Sequence, residues 1–163
     1  KVAALPGLDV DAAGYRLHWC KGDYFRMKRP PALPHLVYPM PGRHGLGVHL
    51  ILDREGGVRL GPDAAFTSSL DYAVDPGKAS AFAASVSRYW PGVTADALLP
   101  DQSGIRPKLS GPNEPWRDFV VQEESARGFP GWVNLIGIES PGLTASPAIA
   151  EMVAGLLADM TNA

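Results

Sequence analysis

The period of the hydrophobic residues changes once near the C-terminal end, and that switch constrains the fold more than any other feature of the chain. Residues 133–138 form a short apolar run with β-branched members, while Ile149, Met152, Val153, Leu156 and Leu157 recur at helical spacing. The run breaks at Gly137, and Glu139-Ser-Pro-Gly-Leu-Thr144 joins the two periods, so a strand, a glycine loop and a helix beginning near Thr144 are expected. A helix start presents unpaired N–H groups and a partial positive charge, which suits a phosphate or a carboxylate. The same turn is also a plain packing device in α/β proteins, so spacing alone leaves both readings open.

A chain of 163 residues can bury one real core but is short for two complete domains. With 45% hydrophobic residues, 20% charged residues and a net charge of −2, the composition suggests neither disorder nor a broad nucleic-acid-binding face. Small-molecule chemistry fits better. The single cysteine, Cys20, cannot build an internal disulfide framework, and its apolar setting beside Trp19 reads as a buried structural thiol. No apolar run approaches the roughly 18 residues that span a bilayer, so no transmembrane segment is expected. No signal peptide opens the chain, and a cytoplasmic setting follows as the expectation, with a peripheral membrane contact left open. The opening Lys1-Val-Ala-Ala-Leu-Pro-Gly-Leu8, without an initiator methionine, reads as the interior of a longer sequence.

Residues 1–14 read as a connecting segment and residues 15–27 as a strand. Lys28-Arg-Pro-Pro-Ala-Leu-Pro34 is a proline-rich exposed connection. Short strands follow at 36–40, 46–52 and 58–61, the last two joined by a tight turn in which Gly56-Gly57 supplies positive φ. Residues 75–90 carry a helical pattern: Pro76 suits the first turn, and Ala79, Phe82, Ala83, Val86 and Tyr89 or Trp90 fall on one face. Strands return at 98–109, 118–122 and 132–138. This order points to an α+β fold with a mixed, largely antiparallel sheet and flanking helices. The final strand and helix have the character of a second domain, which divides the chain into residues 1–130 and 131–163.

The histidines at 18, 35, 44 and 49 lack ligand spacing, and no metal site is expected. There is no nucleophile elbow, no P-loop and no Gly-x-Gly-x-x-Gly fingerprint. Asp23, Asp53 and Glu55 read as isolated turn or strand-edge carboxylates. Strand alternation puts Val48, Leu50 and Leu52 on one face, with His49 and Ile51 on the other. His49 is then either a hydrogen-bonded histidine at a sheet surface or a general base facing a ligand. Arg106, between Gly104 and Pro107, is either a surface charge or a bidentate clamp for a carboxylate. Tyr24 and Tyr38 either belong to the core or line the same pocket.

Six stretches change these weights when taken in order: Lys21-Gly-Asp-Tyr-Phe25, Leu36-Val-Tyr-Pro-Met-Pro41, Gly45-Leu-Gly-Val-His-Leu50, Gly61-Pro-Asp63, Gly104-Ile-Arg106 and Glu139-Ser-Pro-Gly-Leu-Thr-Ala-Ser-Pro-Ala-Ile-Ala150. Their sequence resembles the C-terminal half of FAD-dependent oxidoreductases of the D-amino-acid-oxidase superfamily, most like the L-2-hydroxyglutarate dehydrogenase or oxidase branch, and covers nearly all of residues 15–157. The resemblance implies a substrate domain, here residues 1–130, joined to the final strand and helix of an FAD-binding domain in residues 131–163. It implies FAD as cofactor, a small-molecule carboxylate substrate, and dependence on an N-terminal FAD-binding segment whose pyrophosphate-gripping glycine loop this sequence lacks. The chain by itself is therefore expected to be inactive. By the same resemblance, Arg106 would hold the substrate carboxylate, with Tyr24 and Tyr38 beside it, and His49 would face the flavin from the substrate side. Backbone groups at Gly137, Ile138, Gly142, Leu143 and Thr144 would approach the flavin. The implied reaction is hydride transfer from the Cα of a 2-hydroxy acid. An amino-acid or amine oxidase of the same superfamily, or a non-catalytic ligand-binding module, are the alternatives.

Overall fold

The computed structural model describes residues 2–40 and 47–161. They form strands β1 (His18–Met27), β2 (His49–Leu52), β3 (Val58–Gly61), β4 (Ala65–Thr67), β5 (Leu98–Lys108), β6 (Val120–Glu124) and β7 (Phe129–Ile136), with helices α1 (Ala79–Ser87) and α2 (Gly142–Thr161). The α+β expectation holds. The chain groups into two units, residues 19–105 and residues 1–18 with 106–163. The boundary expected at 130/131 falls inside β7 of the second unit.

In the first unit the sheet runs β2-β3-β1-β4, and β5 also pairs with β1. Strand alternation decides what the sheet buries. Phe25 on β1 pairs with Leu60 on β3, which pairs with Leu50 on β2, and all three are at most 1% exposed. Val48 and Leu52 pack on the same core, as the period-2 pattern around His49 requires. Phe82, Ala83 and Val86 of α1 close over this row, with the Phe25 and Phe82 ring centroids 4.7 Å apart. Each fully buried side chain of this size contributes roughly 1.5–3 kcal/mol.

Several elements differ from expectation for local reasons. The helix expected over 75–90 is shorter, because Asp75 accepts the N–H of Gly77 and caps a 3-10 turn, Pro76–Lys78, ahead of α1. The expected strand over 36–40 is reduced to a single bridge between Val37 and Leu50, since Pro39 offers no ladder donor. Strand β2 starts at His49, and the expected start at Leu46 lies outside the described residues, as do His44 and the Gly45-Leu part of one motif. In the β2–β3 turn only Gly56 has positive φ, +84°. At Gly57 the constraint is the neighbouring side chain: Asp53 Oδ1 accepts its N–H at 2.6 Å, and a Cβ there would displace that carboxylate. Strand β4 leaves no signal in the sequence, because three residues carry no period.

The second unit holds the two-stranded β6–β7 sheet, entered through Gly128 at φ +87°. Residues 1–14, expected as a connection, are a packed part of it: Ala3, Leu8 and Tyr15 are buried together with Val120, Phe129 and Ile136 against them. Helix α2 begins at Gly142, two residues before the expected start. Contrary to the expectation of no bilayer-length apolar run, α2 is long and apolar enough to cross a membrane by length and composition alone, over Gly142–Met160 at a mean hydropathy of 1.2. Its alanines and glycines dilute the apolar pattern in the sequence. Leu143, Met152 and Leu157 on it are exposed.

Glu124, with no exposed surface, organises the polar centre of this unit. Its carboxylate accepts hydrogen bonds from the Tyr15 hydroxyl at 2.7 Å, Asn134 Nδ2 at 2.9 Å and Arg127 at 2.6 Å. Burial works to raise the Glu124 pKa, but those three donors and the Arg127 charge outweigh it and hold the group below its ordinary value. Tyr15 is pushed up to about 12, first by burial and then by its bond to the Glu124 carboxylate. The sign follows from linkage: a depressed carboxylate loses its stabilising contribution as pH falls through its folded pKa, whereas a raised phenol keeps its contribution below pH 10 and loses it as pH rises towards about 12. Tyr15→Phe is therefore expected to flatten the alkaline fall in stability between pH 10 and about 12. Thermal denaturation across that window measures it, and a variant with the parent's alkaline slope would take Tyr15 out of the account.

Candidate functional site

Opposite the Phe25–Leu60–Leu50 row, the next residues along the same strands point to the other face of the sheet. His49 pairs in register with Gly61, and Tyr24 precedes Phe25 on β1; a Cβ added at Gly61 would lie 2.7 Å from Tyr24 Cδ1. Gly61 also has φ +144°, which a side-chain-bearing residue rarely adopts. The missing side chain leaves room for the Tyr24 ring over Gly61. The His49 side chain is buried at 7% exposure, and its ring stacks on the half-exposed Tyr38 with centroids 4.3 Å apart and an interplanar angle of 20°. Thus Tyr24 lies against Gly61, which is paired with His49, and Tyr38 covers His49.

Backbone contacts fix how the imidazole is presented. His49 Nδ1 lies 3.1 Å from the Gly47 carbonyl oxygen. A carbonyl can only accept, so this contact is a hydrogen bond in the tautomer with the proton on Nδ1, in which the lone pair sits on Nε2. Tyr89 donates its hydroxyl to the carbonyl of Val48 at 2.8 Å, which ties the start of β2 to the end of the helical region.

A group of charges beside this row escapes a sequence reading. Strands β3 and β4 lie along the same edge of β1, but their registers are offset by one residue, so Gly22 and Asp23 face three residues, 62–64. This is a bulge, a device that recurs beside functional sites. Asp63 fills the gap in the ladder: its Oδ1 accepts the Asp23 N–H at 2.7 Å, and its own N–H reaches the Asp23 carbonyl. Lys78 then bridges Asp23 at 2.5 Å and Asp63 at 2.9 Å. Asp23 is 1% exposed, which corrects its reading as an isolated turn or strand-edge carboxylate. Burial opposes the Lys78 charge, but the two carboxylates outweigh it and raise its pKa. Cys20 is fully buried, in keeping with a structural thiol.

The other expected residues lie in the second unit. Arg106 on β5 is half-buried, and among the described residues its guanidinium has no hydrogen-bond or ion-pair partner. Gly137 has φ +69°, and a Cβ there would be 2.7 Å from Leu109 Cγ. Ile138 sets the next constraint: its Cγ2 would be 2.5 Å from a Cβ on Gly142. Gly142 has no positive φ, so its requirement is room rather than conformation. The Gly142 N–H bonds the Glu139 carbonyl at 2.5 Å, and Thr144 Oγ1 donates to the Pro141 carbonyl at 2.9 Å. The N–H groups of Leu143 and Thr144 have no backbone acceptor among the described residues, as expected of a first helical turn. Leu143 is 89% exposed.

The fold has a known counterpart. The family model described as DAO, FAD dependent oxidoreductase, matches residues 2–156, and the chain belongs to that family. It is 44% identical over 149 residues to the mitochondrial L-2-hydroxyglutarate dehydrogenase of Arabidopsis thaliana, covering 84% of this chain and 31% of the relative. It is 26% identical over 166 residues to a glycerol 3-phosphate oxidase of Mycoplasma genitalium, covering 91% of this chain and 42% of that protein. In structure it is similar, at a TM-score of 0.69 and 25% identity, to dithionite reduced L-alpha-glycerophosphate oxidase from Mycoplasma pneumoniae with FAD bound, covering 86% of this chain and 36% of that one. The chain therefore spans well under half the length of these relatives.

Proposed function

We propose that this chain forms the substrate-facing part of an FAD-dependent oxidoreductase acting on a small 2-hydroxy acid resembling L-2-hydroxyglutarate. In this reading residues 1–130 belong to a substrate domain, and residues 131–163 are the last strand and helix of a flavin domain. The observation that carries it is the half-buried Arg106 guanidinium, which no described residue neutralises. A guanidinium fork matches a carboxylate bidentately, and one without a partner among the described residues is available to an anion. The 44% identity to an L-2-hydroxyglutarate dehydrogenase supports the substrate class.

The residues fit the family's cofactor. The unpaired N–H groups of Leu143 and Thr144 sit at the start of a 20-residue helix, where partial positive charge accumulates, and Gly142 carries no side chain to cover them. Gly137, Ile138, Gly142, Leu143 and Thr144 would hold it through the main chain. When bound, FAD supplies the hydride acceptor. Arg106 binds and orients the substrate carboxylate. His49 accepts the hydroxyl proton on Nε2 as the carbonyl forms, its ring plane held by Tyr38 and its tautomer by the Gly47 carbonyl. Tyr24 and Tyr38 flank it and restrict water.

Anaerobic bleaching of the full-length protein's flavin by L-2-hydroxyglutarate, but not by glycerol 3-phosphate or sarcosine, is the expected result. A second reading, a glycerol 3-phosphate enzyme, draws on two of the similar proteins and on the equal fit of a guanidinium to phosphate. Bleaching by glycerol 3-phosphate alone would select it, and bleaching by sarcosine would select an amine oxidase. A full-length protein that holds no flavin would leave the non-catalytic module.

The glycine loop makes its own prediction. Gly142→Val in the full-length protein would drive a branched side chain into the stiff Ile138 methyl, so the loop must move. The expected result is weaker FAD retention and a lower flavin reduction potential with the β6–β7 sheet intact. Flavin content per polypeptide and a potentiometric titration measure both, and parental values for the two together would return the loop to a packing role.

A further inference from the structure

We propose that Lys108 is a positioning residue that sequesters the Glu139 carboxylate, and thereby keeps the Arg106 guanidinium available for a substrate carboxylate while fixing the loop that leads into α2. The inference rests on the carboxylate-binding reading of Arg106 given above.

Lys108 Nζ lies 2.6 Å from Glu139 Oε1, and the two side chains are only 17% and 13% exposed. A pair this shielded feels its partner more strongly than a surface pair does, and the loss of one member leaves the other charge poorly solvated. Strand geometry supplies the second element. Residues 106 and 108 of β5 are two apart, so their side chains leave the same face with Cα atoms about 7 Å apart. An unneutralised Glu139 would therefore sit within reach of Arg106, either pairing with it or repelling an incoming carboxylate. The strand and loop also meet at a second point, because Gly137 packs directly on Leu109. Glu139 is the hinge of this arrangement. Its side chain holds the end of β5, and its carbonyl holds the N–H of Gly142, the first residue of α2. Among the described residues Glu139 makes its ion pair with Lys108 and not with Arg106, which is the outcome required if Arg106 is to serve a ligand.

The test uses the full-length flavoprotein and calorimetric binding of a non-reactive dicarboxylate analogue of 2-hydroxyglutarate. Lys108→Met is expected to weaken that binding about tenfold or more, because it releases Glu139 towards Arg106. The double variant Lys108→Met with Glu139→Gln removes the competitor as well, and its affinity is expected to return to within about threefold of the parent. Glu139→Gln alone separates this from a merely structural pair: it leaves no competing carboxylate, so near-parental affinity is expected, whereas a structural pair would lose affinity whichever member is removed. A double variant as weak as Lys108→Met would overturn the proposal, since Lys108 would then act on the ligand or on the fold itself. Should Lys108→Met not accumulate as folded protein, Lys108→Gln takes its place, with a loss of affinity that added Glu139→Gln reverses for the proposal and parental affinity against it. Arg106→Ala serves as the control: if it leaves analogue binding unchanged, the carboxylate reading fails. If it abolishes binding while Lys108→Met is silent, only the role of Lys108 falls.

Discussion

Arg106→Ala in the full-length protein is expected to lower kcat/KM for the carboxylate substrate by about two orders of magnitude or more, with bound flavin retained. Removing one partner of a buried charge pair costs roughly 3–5 kcal/mol. Arg106 is half-buried, so solvent screening reduces that figure, and about two orders of magnitude corresponds to the lower end. Because no described residue pairs with the guanidinium, its loss leaves no orphaned carboxylate in the protein, and the cost falls on binding and catalysis rather than on folding. Arg106→Lys keeps the charge but not the fork, and should recover only part of the loss. Steady-state kinetics with a flavin absorbance check separates these outcomes, and parental kinetics in the alanine variant would remove Arg106 from the site.

His49→Ala carries the second large effect. A positioned general base contributes typically 10²–10⁴-fold, so flavin reduction in single-turnover experiments should slow by about a hundredfold at least, and its pH dependence near neutrality should change. The neighbours give this variant a structural control. Leu50, the next residue on β2, faces the core, whereas His49 faces the opposite side with Tyr38 and Tyr24, so truncation leaves the Phe25–Leu60–Leu50 row untouched. A variant that melts with the parent and reduces flavin at the parental rate and pH profile would make the histidine structural.

What could be read from the chain beforehand follows the range of the physics involved. The alternation that separates His49 from Leu50 lies within four residues, and so does the period switch at Gly137. Both were legible. The Lys108–Glu139 pair joins residues 31 apart, and Lys78 reaches Asp23 across 55. No periodicity encodes such partners, and an Asp on a strand looks the same whether it ends at a surface or beneath a lysine. Element ends failed for a related reason. Asp75 could cap an α-helix or a 3-10 turn, and the choice depends on how Phe82 and Val86 dock on the sheet. Gly57 reads as a positive-φ position, but its constraint, like that of Gly142, is a neighbouring side chain that only the folded chain supplies.

The offset between β3 and β4 carries a consequence for comparing this chain with its kin. With one residue fewer between Gly61 and Ala65, the ladder along β1 would run straight, the main chain would answer the Asp23 N–H, and Lys78 would have one acid to hold instead of two. The polar anchor at that edge is thus created by chain length and only secondarily by residue type. A single-position gap there would mark a relative that anchors this edge of β1 by other means, even where every neighbouring letter agrees.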